Sequence, residues 1–516
     1  MFWNDGYRTD VEYTFGYYPN LSPTQMRFAA LVHGYDVKPK SDNDVHLELG
    51  IGQGLSANIH AASHKGQYFG NDFNPSHIAF ANLISSHSGV QANFTDQSFE
   101  ELLQRDDIPQ CDTIAIHGVW SWISESNQRF IVEIVKKFLK PGGLFHISYN
   151  CSAGHNHFVE WKDKLYRYYG GLSGSPREKA EKTFSHFEEI FTQFPELLEN
   201  NPPLKMSWNG IKRQMNSGNY NYLIHEYLNE HWKPMTLEEV AQHFDDAKLS
   251  FIGSMNFNEI IDAYRFSESV KTFLTTQSIL DREMWHDTFT KETFRKDLFM
   301  KGGYRLNGQQ QLDRLKEWHF ISFGSRDELE NKMFKSGTME IKSDLFDPIA
   351  DCLCADDYRP KSFAELLEVL PSNYGWNDLL KVLVVKIQRG DFAIVNNPAP
   401  DQSVVAKSQQ YNDYIIQNLM PRRGINYLAS PVLGAGYSKM GMIYVAYMKV
   451  VSENPTMNDQ EIAGAMFDFM DKLNVYARKE NSTESCNREE SIELFVRKQI
   501  PEAKKYAAIW KHMKFI

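Results

Sequence analysis

The sequence predicts an α/β protein: a Rossmann-like, doubly wound parallel sheet with a helical insertion, then a winged-helix-like unit and a mainly helical C-terminal unit. Three observations carry this. Strand-like apolar runs alternate with helix-like runs from Val45 to Asn150, the pattern of βα units on a parallel sheet. A glycine-rich loop joins the first strand to the first helix, where such sheets bind ligands. Two further apolar runs, 249–255 and 317–324, follow a long aromatic-rich helical stretch and read as late strands of the same sheet.

Residues 1–40 are aromatic and irregular, then helical from Pro23 to Gly34. VHLELG from Val45 is a buried strand, followed by a helix from Leu55 to Ala62. QYFGND, QANFTD and CDTIAIHG are strands two to four, with SHIAFANLISSHS a helix after the second. NQRFIVEIVKKFL places Ile131, Ile134, Val135, Phe138 and Leu139 on one helical face,. Lys140-Pro-Gly-Gly stops it, and GLFHISYN is the fifth strand,. Thr236 and Glu239 form a capping box for a helix carrying Leu237, Val240, Ala241 and Phe244,. The first domain therefore spans 1–325, with insertions at about 155–248 and 256–316,. The winged-helix-like unit, 341–397, holds a helix from Asp347 to Leu353, the Ser362/Glu365 capping box, a helix over 377–388 and the strand DFAIV. A linker at 396–403 leads to the C-terminal unit, 404–516.

The chain has 516 residues, enough for several cores, and a net charge of −11,. It has no long basic run, so a nucleic-acid partner is not expected. Five cysteines make no disulfide framework and suit a reducing, cytoplasmic compartment,. No signal peptide is visible at the N-terminus, and no apolar run reaches the roughly 18 residues of a membrane span. In a cytoplasmic protein the acceptor-like triplets at Asn93 and Asn481 carry no meaning. His155 and His157 have metal-ligand spacing but no evident third ligand, so no metal is expected,. Cys352 and Cys354 read as buried thiols.

The loop is Glu48-Leu-Gly50-Ile-Gly52-Gln-Gly54. It lacks the Gly-Lys-Ser/Thr of a Walker loop, and Leu55 stands where a dinucleotide fingerprint needs its last glycine,. An acid before Gly-x-Gly-x-Gly is the usual loop of class I methyltransferases, whose cofactor is S-adenosyl-L-methionine. Gly50, Gly52 and Gly54 let the backbone approach the cofactor's methionine part, and Glu48 is expected to bind its ammonium. Asp72, with Phe73 after it, is placed to take both ribose hydroxyls. Asp96 is expected near the adenine amino group, and His117 and Gly118 beside the methyl group.

Further segments resemble one group more closely. YTFGYYPNLSP, CDTIAIHGVWSWIS, LKPGGLFHISYN, residues 222–257, FRKDLFMKGG and NYLASPVLGAGYS are similar to a bacterial methyltransferase family with an attached regulatory domain. That family includes rickettsial protein-lysine methyltransferases of outer-membrane proteins. Its HGVYSW-type loop is His117-Gly-Val-Trp-Ser-Trp122 here. Two departures, Ser22-Pro23 for His-Pro and the absence of Pro-Gly-Trp after Tyr149-Asn150, lie near the expected acceptor.

The resemblance implies a cytoplasmic enzyme that methylates lysine side chains of a protein, such as a surface or outer-membrane protein before export. Methyl transfer is an in-line displacement that needs alignment and exclusion of water. A lysine of pKa about 10.4 must first lose a proton, and an apolar aromatic pocket favours the neutral amine. Tyr13, Tyr17, Tyr18, Trp120, Trp122, Tyr149 and Asn150 are the candidate substrate-binding residues, and His117, Trp120 and Tyr149 the candidate catalytic ones. His117 reads either as a general base or as a wall of the cofactor pocket. The alternatives are a methyltransferase of a small molecule or sugar-linked precursor, and a non-catalytic cofactor-binding regulator. A homodimer fits each reading.

Overall fold

The computed structural model describes residues 15–38, 41–335, 338–438, 440–479 and 482–516. A seven-stranded sheet forms its centre, in the order β3-β2-β1-β4-β5-β7-β6. Strands β1 (Val45–Leu49), β2 (Gln67–Asn71), β3 (Asn93–Thr95), β4 (Cys111–Ile116) and β5 (Leu139–Asn150) run parallel. All five residues of β1 are buried, as expected of a strand covered by helices on both faces,. The helix Glu125–Phe138 buries Ile131, Ile134, Val135 and Phe138, and Ser124 caps it by accepting the Asn127 N–H,. Lys140-Pro-Gly-Gly is absorbed into β5, and the ladder shifts register there, opposite Cys111 and Thr113,.

The far edge differs from the sequence expectation. β6 (Leu249–Ser254) is in the sheet, but its neighbour is β7 (Phe294–Lys301), which lies inside the stretch expected to be helical insertion. β7 runs antiparallel to both β5 and β6. The run 317–324 does supply a strand, β8 (His319–Ser322), but not to this sheet. It pairs with β9 (Lys361–Ser362) and β10 (Phe392–Val395) in a separate antiparallel sheet. The apolar residues of β8 are satisfied there, where Phe320 packs on Phe363 and the middle unit's core. The middle unit thus reaches back across residue 325. Its helices are Ser343–Tyr358, Phe363–Glu368 and Trp376–Arg389.

Among the described residues, the C-terminal unit is helical apart from the hairpin of β11 (Leu428–Ser430) and β12 (Ala435–Tyr437). It shares one core with the helix Leu55–Ser63 that follows the glycine loop. Ser408 Oγ donates to the Ala62 carbonyl at 2.9 Å, and Lys407 Nζ to that of His64 at 2.6 Å. It thus packs along the helix that follows the glycine loop and binds its carboxyl end.

Candidate functional site

A cavity of about 820 Å³ opens at the carboxyl ends of the central strands, where the strand order reverses between β1 and β4,. The β1 loop contributes Glu48 and Gly50 to Leu55, and the β2 end Asp72 and Phe73. His117, Gly118 and Trp122 follow β4, and Asn150 ends β5. Thr293 and Phe294 come from the start of β7, and Tyr222, Glu226 and Tyr227 from the helix Tyr220–Tyr227.

At one end, Gly50, Gly52 and Gly54 hold φ of 68°, 54° and 71°, left-handed values that other residues adopt at a cost,. A Cβ on Gly54 would also stand 2.5 Å from that of Ala81. Asp72 Oδ2 accepts the Gly52 N–H at 2.9 Å, and Oδ1 accepts the Asn74 N–H at 3.0 Å. Glu48 is 3% exposed, and its Oε2 has no hydrogen-bond partner. Burial lifts its pKa to about 8,. A buried acceptor left unpaired costs free energy until a ligand cation meets it. The donor and acceptor set therefore fits an amino-acid-and-ribose ligand, with its cation at Glu48 and hydroxyls at Asp72.

The other end is aromatic. The Tyr18 ring lies 4.0 Å from the His117 ring, centroid to centroid. The Tyr18 N–H donates to Ser56 Oγ at 2.9 Å. His117 Nδ1 is 2.9 Å from Ser148 Oγ, which also accepts the Gly118 N–H. Burial, with His146 and Lys296 nearby, pushes the His117 pKa down to about 3. The ring lines the cavity wall beside Tyr18. Asn150 Oδ1 accepts from Trp232 Nε1 at 3.3 Å, and its Nδ2 is 3.4 Å from His155 Nε2. His157 turns away to Ser207 at 2.8 Å, and no cluster of three metal-type ligands occurs among the described residues.

Several expected residues are elsewhere. Trp120 is fully buried in the core, its ring on Phe244 and its Nε1–H pointing at Met235 sulfur at 3.2 Å. The short 3-10 turn Trp120–Trp122 sends the two indoles opposite ways, and only Trp122 reaches the cavity. Tyr149 is 1% exposed and faces behind the cavity, where its hydroxyl donates to Asp297 at 2.6 Å. Tyr17 does not line the cavity either. Its hydroxyl accepts the Gly436 N–H at 2.6 Å, which clamps the N-terminal segment to the C-terminal hairpin and sets the entry of Tyr18. Asp96 is exposed and outside the cavity, which Gln97 lines instead. Tyr13 lies outside the described residues.

Tyr222, Glu226 and Tyr227 were not expected. Tyr222 and Glu226 are one helical turn apart on a helix whose other face buries Leu223 and Ile224,. A one-turn repeat of polar and aromatic residues was the available signal, but nothing in sequence ties that helix to a cavity built by β1 and β4. Behind the cavity, Arg295 is fully buried and paired with Asp287 at 2.6 Å, Asp297 at 2.8 Å and Glu283 at 2.9 Å. That network fixes β7 next to Phe294.

Residues 47–143 match the family described as a methyltransferase domain, and residues 219–301 match that of a predicted methyltransferase regulatory domain. The second segment carries the helix Tyr220–Tyr227 and strands β6 and β7, so it is woven into the main sheet. The uncharacterized protein sll1526 of Synechocystis is 30% identical over 447 residues, covering 84% of this chain and 86% of that protein. The uncharacterized protein RP028 of Rickettsia prowazekii is 28% identical over 135 residues, 26% of this chain and 53% of its own length. PKMT2 from Rickettsia typhi has the same fold, with a TM-score of 0.67 at 16% identity over 96% of this chain and 99% of that one. The structure of PKMT2 in complex with AdoHcy gives 0.68 at 15% identity, with the same coverage.

Proposed function

From the premise that the chain belongs to the family of sll1526, a class I methyltransferase domain joined to a methyltransferase regulatory domain, we propose that it methylates lysine side chains of a protein. The observation that carries this reading is the two-ended cavity, with the glycine loop, Glu48 and Asp72 at one end and Tyr18, Trp122, Tyr222 and Tyr227 at the other. The cofactor is S-adenosyl-L-methionine, which supplies an electrophilic methyl group when bound. Glu48 holds its ammonium, Asp72 its ribose hydroxyls, and the three glycines its methionine part. The aromatic walls exclude water from the acceptor and favour its neutral amine. They also present faces to a partly methylated, cationic product.

The substrate is a polypeptide, for which a surface or outer-membrane protein is a natural class. Among the described residues no helix is long and apolar enough to cross a membrane. The middle unit, with three helices and a small antiparallel sheet, is read as winged-helix-like and as a surface for docking protein.

Purified protein, incubated with methyl-labelled S-adenosylmethionine and a cell lysate, tests the proposal. Label in the protein fraction at lysine supports it. Label confined to small molecules overturns the lysine reading in favour of a metabolite acceptor.

A further inference from the structure

No Lys or Arg lines the cavity among the described residues, whereas Glu48, Asp72, Glu100 and Glu226 do. The histidines and phenols at the acceptor end add no positive charge. Burial holds His117 and His155 neutral, with pKa near about 3 and about 4. It likewise pushes the phenols of Tyr18, Tyr222 and Tyr227 up, so they stay protonated and uncharged. Glu48 and Asp72 belong to the cofactor end. Glu226 stands apart from them, on the helix Tyr220–Tyr227, within electrostatic reach of Tyr18, Tyr222 and Tyr227. It makes no hydrogen bond or ion pair among the described residues. Burial lifts its carboxyl to about 7 with no charge offsetting it.

A half-buried carboxylate on the cavity wall, among the neutral phenols of Tyr18, Tyr222 and Tyr227, is matched by a cation that arrives from outside,. The Tyr18 ring, which feels Glu226, also lies tilted against His117 at the end of β4. Glu226 thus lines the same cavity as Tyr18 and as His117 and Gly118 at the end of β4, where the transferred group must pass.

Resting on the reading of this cavity as a methyl-transfer site, we propose that Glu226 binds the methyl acceptor as a primary alkylammonium ion and takes up its proton. One N–H bond of the ammonium breaks, its electron pair stays on nitrogen, and the proton moves to a Glu226 carboxylate oxygen. The lone pair so freed is the nucleophile that methylation consumes, and the proton later leaves Glu226 for solvent. The phenols of Tyr18, Tyr222 and Tyr227 surround the nitrogen and stay protonated throughout. The same carboxylate repels acids, so carboxylate and phosphate acceptors are rejected. Glu226 thus selects amines from among the possible acceptor classes.

The test uses the full chain saturated with S-adenosylhomocysteine and three probes of similar size: n-butylammonium, 1-butanol and butyrate. Ligand-observed NMR reports which probe binds. Butylammonium is expected to bind and the other two are not. Glu226→Gln is expected to weaken butylammonium at least tenfold, and Glu226→Asp to restore part of the loss. Both variants are expected to hold S-adenosylhomocysteine within about twofold of the parent, which shows that they are folded. Equal butylammonium binding by Glu226→Gln overturns the proposal, and so does preference for butanol or butyrate, or no butylammonium binding by a parent protein that holds S-adenosylhomocysteine. Failure to bind S-adenosylhomocysteine at all overturns the underlying methyl-transfer reading as well, so the two failures are distinguishable.

Discussion

The N–H of Gly52 donates a hydrogen bond to Asp72 Oδ2 at 2.9 Å. The glycine loop after β1 and the acid after β2 are therefore one unit, preset before any ligand arrives. Asp72→Ala removes this anchor along with the expected ribose contact. Hydrogen bonds to a charged group contribute about 1.5–3 kcal/mol each, so S-adenosylmethionine affinity should fall roughly 10- to 100-fold. Titration calorimetry measures this, and unchanged affinity would remove Asp72 from the cofactor site.

Glu48 gives a pH signature. Its free carboxyl has a pKa of about 8 through burial, yet holding a ligand ammonium requires the ionised form. Binding at neutral pH should thus expel a proton. Affinity should rise with pH up to about 8 and flatten above it, as far as Glu48 alone controls it. Calorimetry in buffers of different ionisation enthalpy counts the protons. Glu48→Gln should abolish the release and weaken binding.

The two tryptophans of the β4 loop should separate. Trp120 is core, so Trp120→Ala should cost about 3–5 kcal/mol of stability and lower the midpoint of denaturant unfolding. Trp122 lines the cavity at 8% exposure. Trp122→Ala should reduce methyl transfer to acceptor much more than it lowers stability. The opposite pairing of effects would reverse their assignments.

His286 links stability to pH. Burial opposes its charge, but the carboxylates of Asp262 at 3.2 Å and Asp287 at 3.6 Å, with Glu283 nearby, outweigh that and lift its pKa to about 9. A folded pKa above the unfolded value, about 6.5, means the protonated form stabilises the fold. That contribution is complete below about pH 6.5 and is lost as pH rises through about 9. Unfolding of the parent and of His286→Asn, compared from about pH 6 to about pH 10, should show a slope of a few kcal/mol in the parent only. Parallel profiles would contradict this.

Sequence made the first five strands legible because they are buried and punctuated by glycine loops. β7 escaped because FRKDLFMK carries four charged residues in a buried strand. Arg295 and Asp297 are tolerated there by pairing with each other, and Arg295 also pairs with Glu283 and Asp287 of a neighbouring helix, compensation that no local pattern displays. β8 was legible as a strand but not by its partner, since an apolar run does not say which sheet it joins. At the site, Glu48, the glycines, Asp72, His117 and Trp122 follow from strand ends and all line one cavity. Trp120 and Trp122 differ by two positions in a tight turn, too short for spacing to say which ring faces in. Tyr222 and Glu226 reach the cavity from a helix that follows β5 by some 70 residues, and only tertiary packing reveals them.

The most direct test of the account is a crystal structure of the protein with S-adenosylhomocysteine. The amino group is expected at Glu48, both ribose hydroxyls on Asp72, and the sulfur turned toward Tyr18 and Glu226. A ligand with its sulfur turned to the Phe99 and Glu100 side, or bound outside this cavity, would contradict it.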